Sequence, residues 1–329
     1  MSNAIHDFIQ SLPKTETHLH MEGALPWDFM RELDGDKYAV PPPSWEIGYK
    51  FRDFAHFEQQ LLGHALEWYT TPERYHRAAK KVFADLAAQN VKYVETSFAS
   101  GVMEFLGVDG KGIVDAINTA APEGMEVRVF LGIHHGGLNE GMMPRLEEAL
   151  TWEGLAGIDL HGVEEIPVGE PEIQFWKDAR AAGKFTKAHA GEFMGADFVR
   201  WAIEKLGAER IEHGVRSIED PSVIALIKER GLTLDVCPIS NVKLMPGITA
   251  TTHPIRELVE ADVKCTISTD DPLVFGNRLD QEYELLYAMR GFSEKELAHV
   301  ARTGFEAALM SDAQKKTYLD ELDAIIRSA

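Results

Sequence analysis

Two histidines, His18 and His20, stand one residue apart in the stretch TETHLHMEG (15–23). On a strand, positions i and i+2 point to the same side, so the pair can share one ion. An isolated His-x-His is more often two hydrogen-bonded or solvent-facing rings. Residues elsewhere in the chain alter that weighing. HAGE supplies His189 and Glu192, EHG supplies His213, and TDDP supplies Asp270 and Asp271. Three imidazoles and a carboxylate suit Zn2+ by donor type. Each residue alone has a plain structural role as a loop cap, an ion pair or a core histidine. Their recurrence at the ends of strand-like runs favours a metal site. A metal held there would acidify water at neutral pH, so the chemistry expected is hydrolysis.

The elements that must carry these residues form eight strand-like runs. They are 15–20, 91–98, 126–134, 157–164, 185–192, 210–215, 232–241 and 263–272. Parallel strands buried on both faces are expected to read as apolar until their polar ends. Helical patterns lie between them. Thr71-Pro72-Glu73 opens a helix that runs through Val82, Phe83, Leu86 and Ala87, with proline at the first helical position. Asp220-Pro221 opens another, and Gly231 closes it. Ser293 with Glu296 forms a capping box, with Phe292 and Leu297 as its apolar staple. Ser311 with Gln314 repeats the start signal. The alternation predicts an α/β fold, a (β/α)8 TIM barrel over residues 1–329 as a single domain. In this fold, sites form at the C-terminal strand ends. The segment from about 24 to 75 is too long for an ordinary βα loop. It predicts additional helices inserted after the first strand, over the barrel mouth, with AVPPPSW (39–45) as a loop between them.

Composition narrows the function classes. The formal charge of −20 repels phosphate polyanions, so a nucleic-acid partner is not expected. The two cysteines, Cys237 and Cys265, fit neither a zinc-finger spacing nor a disulfide framework. They suit a reducing compartment. The N-terminus lacks the pattern of a signal peptide. No apolar run approaches the roughly 18 residues of a membrane helix. A cytoplasmic protein with no membrane partner is expected.

Five motifs then carry a resemblance. HLHMEG, HAGE, RIEHGVR, CPISN and STDDPLVFG follow in the order and spacing of the adenosine deaminase family, within the amidohydrolase superfamily. The resemblance extends from residue 12 to the last helix. It implies one zinc ion per chain, held by His18, His20, His189 and Asp270, with His20 also facing substrate. It implies that Glu192 gives a proton to purine N1 and that His213 orients and polarises the attacking water. Asp270 belongs to both the metal and the catalytic set. Asp271 contacts N7, and the Gly162 backbone bonds N3. The activity implied is a zinc-dependent aminohydrolase. It converts adenosine or deoxyadenosine to inosine or deoxyinosine, with release of ammonia.

This chain departs from the family pattern at the substrate rim. Glu22 stands where many members carry an aspartate that meets the ribose 5′-hydroxyl. VETSFASG and GIHHG lack arginines usual at those strand ends. These departures admit adenine, 6-amino-6-deoxyfutalosine of menaquinone synthesis, or an N6-modified adenine compound as the small-molecule aminopurine. Two other classes compete: a catalytically silent purine-binding barrel, and a metal-dependent ester or amide hydrolase. His134-His135 end the third strand at the pocket rim, where either a substrate contact or a simple hydrogen bond is expected, and His161 stands beside Gly162 without an assigned role. The remaining landmarks are expected to serve structure. His253-Pro254 reads as a helix start, Cys237 as a packing thiol, and Trp152, Trp176 and Trp201 as helix packing.

Overall fold

The computed structural model describes residues 3–328. Its strands are β1 (Lys14–His20), β2 (Val91–Ala99), β3 (Glu126–His134), β4 (Leu155–His161), β5 (Phe185–Ala190), β6 (Arg210–His213), β7 (Thr233–Val236) and β8 (Lys264–Ile267). All neighbours pair in parallel, in the order β1 to β8. A parallel bridge between Leu19 and Asp270 closes the ring. There the His20 N–H donates to the Asp270 carbonyl and the Asp270 N–H to the His18 carbonyl, each at 3.1 Å. The fold is a (β/α)8 TIM barrel, and its seam joins two histidines to an aspartate that the motifs had marked.

The helices follow from local chemistry. After α1 (Asn3–Ser11), the long first connection holds α2 (Trp27–Leu33) and α3 (Phe54–Trp68). These are the inserted helices, and AVPPPSW lies between them. The Asp53 side chain starts α3 by accepting from the His56 N–H. In α4 (Pro72–Ala87), Thr71 caps the Arg74 N–H and Pro72 sits in the first turn, where no N–H partner is needed. One face of α4 buries Tyr75, Ala78, Ala79, Val82, Phe83 and Leu86. Truncating Phe83 to alanine would cost about 3–5 kcal/mol. The Ser293–Glu296 capping box forms, with Phe292 and Leu297 both buried. Ser311 and Gln314 also bond reciprocally. Trp176 is buried in a helix and donates to the Lys187 carbonyl at 3.1 Å. No helix among the described residues is long and apolar enough to cross a membrane.

Two expectations need correction. First, several strands end earlier than the polar runs suggested: β4 at His161, β5 at Ala190, β6 at His213, β7 at Val236 and β8 at Ile267. CPISN belongs mostly to the helix Pro238–Leu244, because Pro238 supplies no ladder N–H and sits at that helix's first position. At the last residue of β6 and just beyond β8 the chain turns through left-handed backbone, at His213 (φ 60°) and Asp270 (φ 68°).

Second, the barrel interior is not apolar. Lys14, Thr15, Glu16, Thr17 and His18 of β1 are all buried. Deeper inside, Lys187 Nζ lies 2.6 Å from Glu95, 2.8 Å from Glu212 and 3.4 Å from Asp235. Arg210 Nη1 lies 2.6 Å from Glu95 and 3.6 Å from Asp235. Removing charges from water costs several kcal/mol per ion unless partners compensate. Each cation here faces at least two carboxylates, which is why charge survives in the core.

Candidate active site

The seam and the opposite wall deliver four donor atoms to one point. His18 and His20 end β1, His189 lies in β5, and Asp270 follows β8. His18 Nε2 and His189 Nε2 are 3.0 Å apart, and His20 Nε2 is 3.2 Å from His189 Nε2. Asp270 Oδ1 stands 3.3 Å from both His18 Nε2 and His20 Nε2. Ligands about 2.0–2.1 Å from a tetrahedral ion lie roughly 3.3 Å apart. The spacing is that of a coordination shell. Three Nε2 atoms this close cannot all be satisfied by protons between them.

The outward nitrogens are also held, as orienting partners of metal-binding imidazoles are. His20 Nδ1 is 2.9 Å from Ser97 Oγ, and His189 Nδ1 is 3.1 Å from the Leu160 carbonyl. His18 Nδ1 has its aligned bond to the Asp235 carbonyl at 3.2 Å. Glu212 Oε2 is nearer to it, at 2.8 Å, yet outside hydrogen-bond alignment. That contact is a close approach of the carboxylate to the edge of the ring. The donor set fits a divalent metal ion.

His213 stands beside this shell. Its Nε2 is 3.9 Å from Asp270 Oδ2 and 3.5 Å from Glu192 Oε2. His213 is close enough to join His18, His189 and Asp270 in a metal-sized cluster. His20 Nε2 nevertheless lies nearer to Asp270, at 3.3 Å against 3.9 Å for His213 Nε2. Asp270 Oδ2 accepts from the Ser240 hydroxyl at 2.6 Å. Left-handed backbone at a non-glycine residue costs of order 1–3 kcal/mol, and here it occurs at both His213 and Asp270.

Glu192 and Asp271 complete the inner wall, both buried. Neither Glu192 Oε1 nor Asp271 Oδ1 has a partner. Burial, then Asp270 and Glu164, pushes the Glu192 carboxyl well above the usual range. Burial and Asp270 do the same to Asp271. The Glu164 carboxylate accepts from the N–H groups of Glu192, Phe193 and Met194, fixing the loop that presents Glu192. A Cβ on Gly23 would lie 1.6 Å from Asp271 Oδ1, so only glycine admits that side chain.

These groups open into a cavity of about 370 Å3. His20, Glu22, Gly162, His189, Glu192, His213, Asp270 and Asp271 line its floor. Gly162 turns there with φ +93°. His161 stacks on His20 at 5.4 Å, with its Nε2 buried and unpartnered. His134 faces the cavity, while His135 points Nδ1 at the Ile166 carbonyl, 2.8 Å away. Glu22 accepts from the Tyr75 hydroxyl and from the Ala99 N–H. The outer wall is apolar apart from Glu58: Phe54, Phe57, Leu61, Leu62 and Leu66 of α3, with Val102 and Phe105 of α5 (Gly101–Phe105). No lysine or arginine lines the cavity.

Several contributors were not singled out from sequence. Ser97, Glu212 and Glu164 each sit beside a marked motif, but their partners lie far along the chain. The α3 wall was expected only as a cover. Asn241 and His253 form a buried link to His213. Asn241 lay inside CPISN, and that placement was the one available signal.

Comparison with known proteins follows the same geometry. The sequence model of a family described as adenosine deaminase matches residues 13–325. An aminodeoxyfutalosine deaminase of Streptomyces coelicolor is 34% identical, over 97% of this chain and 86% of that protein. An adenine deaminase of Sphingopyxis alaskensis is 31% identical, over 96% of each. A solved amidohydrolase from Burkholderia ambifaria, with bound Zn, superposes with a TM-score of 0.83 at 25% identity, covering 100% of this chain and 95% of that one.

Proposed function

We propose, on the premise that this chain belongs to the adenosine deaminase family, how it performs hydrolytic deamination of adenine-type compounds and on which of them it acts. The observation that carries the proposal is the pair of open carboxyl oxygens, Glu192 Oε1 and Asp271 Oδ1. Their residues line the same cavity as His20, His189 and Asp270 of the four-donor set.

The resident metal is zinc, one per chain, held by His18, His20, His189 and Asp270. When bound it supplies a water whose pKa falls from about 15.7 toward 7. The chain's own groups do the rest. His213 Nε2 and Asp270 Oδ2 flank the position of the incoming water oxygen. Glu192, kept protonated by burial, gives its proton to ring N1 as that oxygen bonds to the amine-bearing carbon. The negative charge that addition pushes onto the ring is thereby neutralised. Asp271, also protonated, donates to N7, and the Gly162 backbone meets N3. As the carbon–nitrogen bond breaks, the added oxygen stays as the ring carbonyl; of the two protons that water brought, one goes to the departing amine, which leaves as ammonia, and one restores Glu192. Glu192 acts as a general acid, a role suited to a raised pKa. The presence of a proton donor and a water-facing histidine supports an enzyme over a silent binder.

Sequence alone put adenosine and deoxyadenosine first. The cavity supports a different substrate. It holds more than a bare base, its outer wall is apolar apart from Glu58, and it offers no cation to a phosphate. We propose an adenine compound whose extension carries no phosphate and includes an aromatic segment to lie on this wall, of the aminodeoxyfutalosine type. The name of the Streptomyces coelicolor relative supports this choice. Free adenine is the second reading. It is favoured by Glu22, whose carboxylate is already engaged by Tyr75 and Ala99 and is not free for a ribose hydroxyl. The cysteines are free and buried, which suits the cytoplasm.

The test is a coupled ammonia assay of zinc-loaded protein on aminodeoxyfutalosine, adenine, adenosine, deoxyadenosine and N6-methyl analogues. The highest kcat/KM is expected on aminodeoxyfutalosine. A preference for adenine would select the second reading. Ester hydrolysis without conversion of any aminopurine would overturn both.

A further inference from the structure

Asn241 lies in the helix Pro238–Leu244, and His253 just precedes the helix Ile255–Glu260. Both side chains are fully buried. The Ile255 N–H donates to His253 Nδ1 at 3.1 Å. A backbone N–H can only donate, so this ring nitrogen carries no proton. Burial, with Arg290 nearby, pushes His253 down to about 3, so the ring is neutral. Its one proton therefore sits on Nε2.

His253 Nε2 faces Asn241 Oδ1 at 3.1 Å. That donor settles the amide orientation, since the reversed amide would set donor against donor. The Asn241 NH2 then points at His213 Nδ1, 3.1 Å away. His213 Nδ1 must accept. A neutral His213 thus bears its proton on Nε2, the atom beside Glu192 and Asp270.

We infer that Asn241 and His253 are positioning residues that transmit the donor sense of the Ile255 N–H to His213 and hold its Nε2–H toward the reacting centre. In this state His213 donates to the incoming water oxygen and does not accept its proton. Only the kinetic consequence rests on the function proposed above; the tautomer assignment stands apart from it.

The experiment is ring-nitrogen NMR of zinc-loaded protein labelled with 15N-histidine. The His213 signals are identified by their loss in His213→Ala. The wild type is expected to show a neutral ring protonated at Nε2. Asn241→Asp presents only acceptors, so His213 should gain a proton at Nδ1. Metal content should be kept, and kcat should fall about 10- to 100-fold with KM little changed. His253→Gln keeps a donor toward Asn241 and should retain the wild-type pattern; His253→Ala should lose it. This second pair carries the test if Asn241→Asp does not fold. A wild-type His213 protonated at Nδ1, or an Nε2–H pattern unchanged in both Asn241→Asp and His253→Ala, would overturn the inference. The expected tautomer in a protein that deaminates no aminopurine would refute the proposed function and leave this relay standing.

Discussion

Inside the barrel, below the donor set, Lys187 and Arg210 meet Glu95, Glu212 and Asp235. At the mouth, Glu192 Oε1, Asp271 Oδ1 and His161 Nε2 meet nothing. Both regions are largely buried, yet the cations of one are paired while these three atoms of the other stand open toward a cavity. An open buried polar group costs about 1–3 kcal/mol, so several of them gathered around one cavity mark a place that a ligand could complete. The lower region carries two cations against three carboxylates and lies under the four-donor cluster, whose His18 it touches through Glu212. On the function proposed above, the lower region is a support and the upper region is the part that acts.

Substitutions should separate the two. His18→Ala is expected to have the largest effect: bound metal and turnover both fall to background, read by elemental analysis and ammonia release. Glu192→Gln should keep the metal and lose about 10²–10⁴ in kcat. Its melting temperature should hold, because glutamine keeps the shape and polarity of the protonated acid. Near-normal turnover in that variant would erase the contrast. Lys187→Met attacks the paired region and leaves carboxylates without a cation. Urea unfolding should then show a loss of about 3–5 kcal/mol. An unchanged midpoint would mean that the network supports nothing.

The remaining tests are finer. Leu66→Ala, on the apolar wall, should cost roughly tenfold in kcat/KM on the extended substrate and little on free adenine. Equal losses would place that wall outside substrate recognition. Glu164 joins the two regions in kind, being buried yet fully engaged by backbone N–H groups. Burial raises its carboxyl to about 7, against the pull of those bonds. A raised folded pKa gives stability that is present below the unfolded value of about 4.5 and is lost as pH climbs through about 7. The melting temperature of Glu164→Gln relative to wild type should therefore improve by a few degrees from pH 5 to pH 8. A flat difference would show that Glu164 titrates normally.

The open region was the more legible in sequence. His18, His20, His189, Glu192, His213, Asp270 and Asp271 stood at the ends of recurring strand-like runs, where short motifs keep neighbours together. Strand order and helix starts were legible for the same reason. Thr71, Asp220 and Ser293 cap through atoms two or three residues away. The paired region was not legible. Lys187 and Glu95 are far apart in sequence, and nothing local distinguishes them from solvent-facing residues. The expectation of apolar strands failed there, because a core can hold charge once each ion has several partners. The relay through Asn241 and His253 was hidden likewise, since His253 carried an adequate local explanation as a helix start. It does bond the first turn of that helix, through Nδ1; its second role uses the other ring nitrogen.

The claim on which the account turns is that four side chains of this chain hold one ion, and that aminopurine hydrolysis depends on it. It is tested most directly by titrating zinc into metal-free protein while ammonia release from aminodeoxyfutalosine and adenine is followed. The account predicts activity that rises in proportion to zinc and stops rising at one equivalent per chain. Full activity before any zinc is added, or none on either compound at saturation, would contradict it.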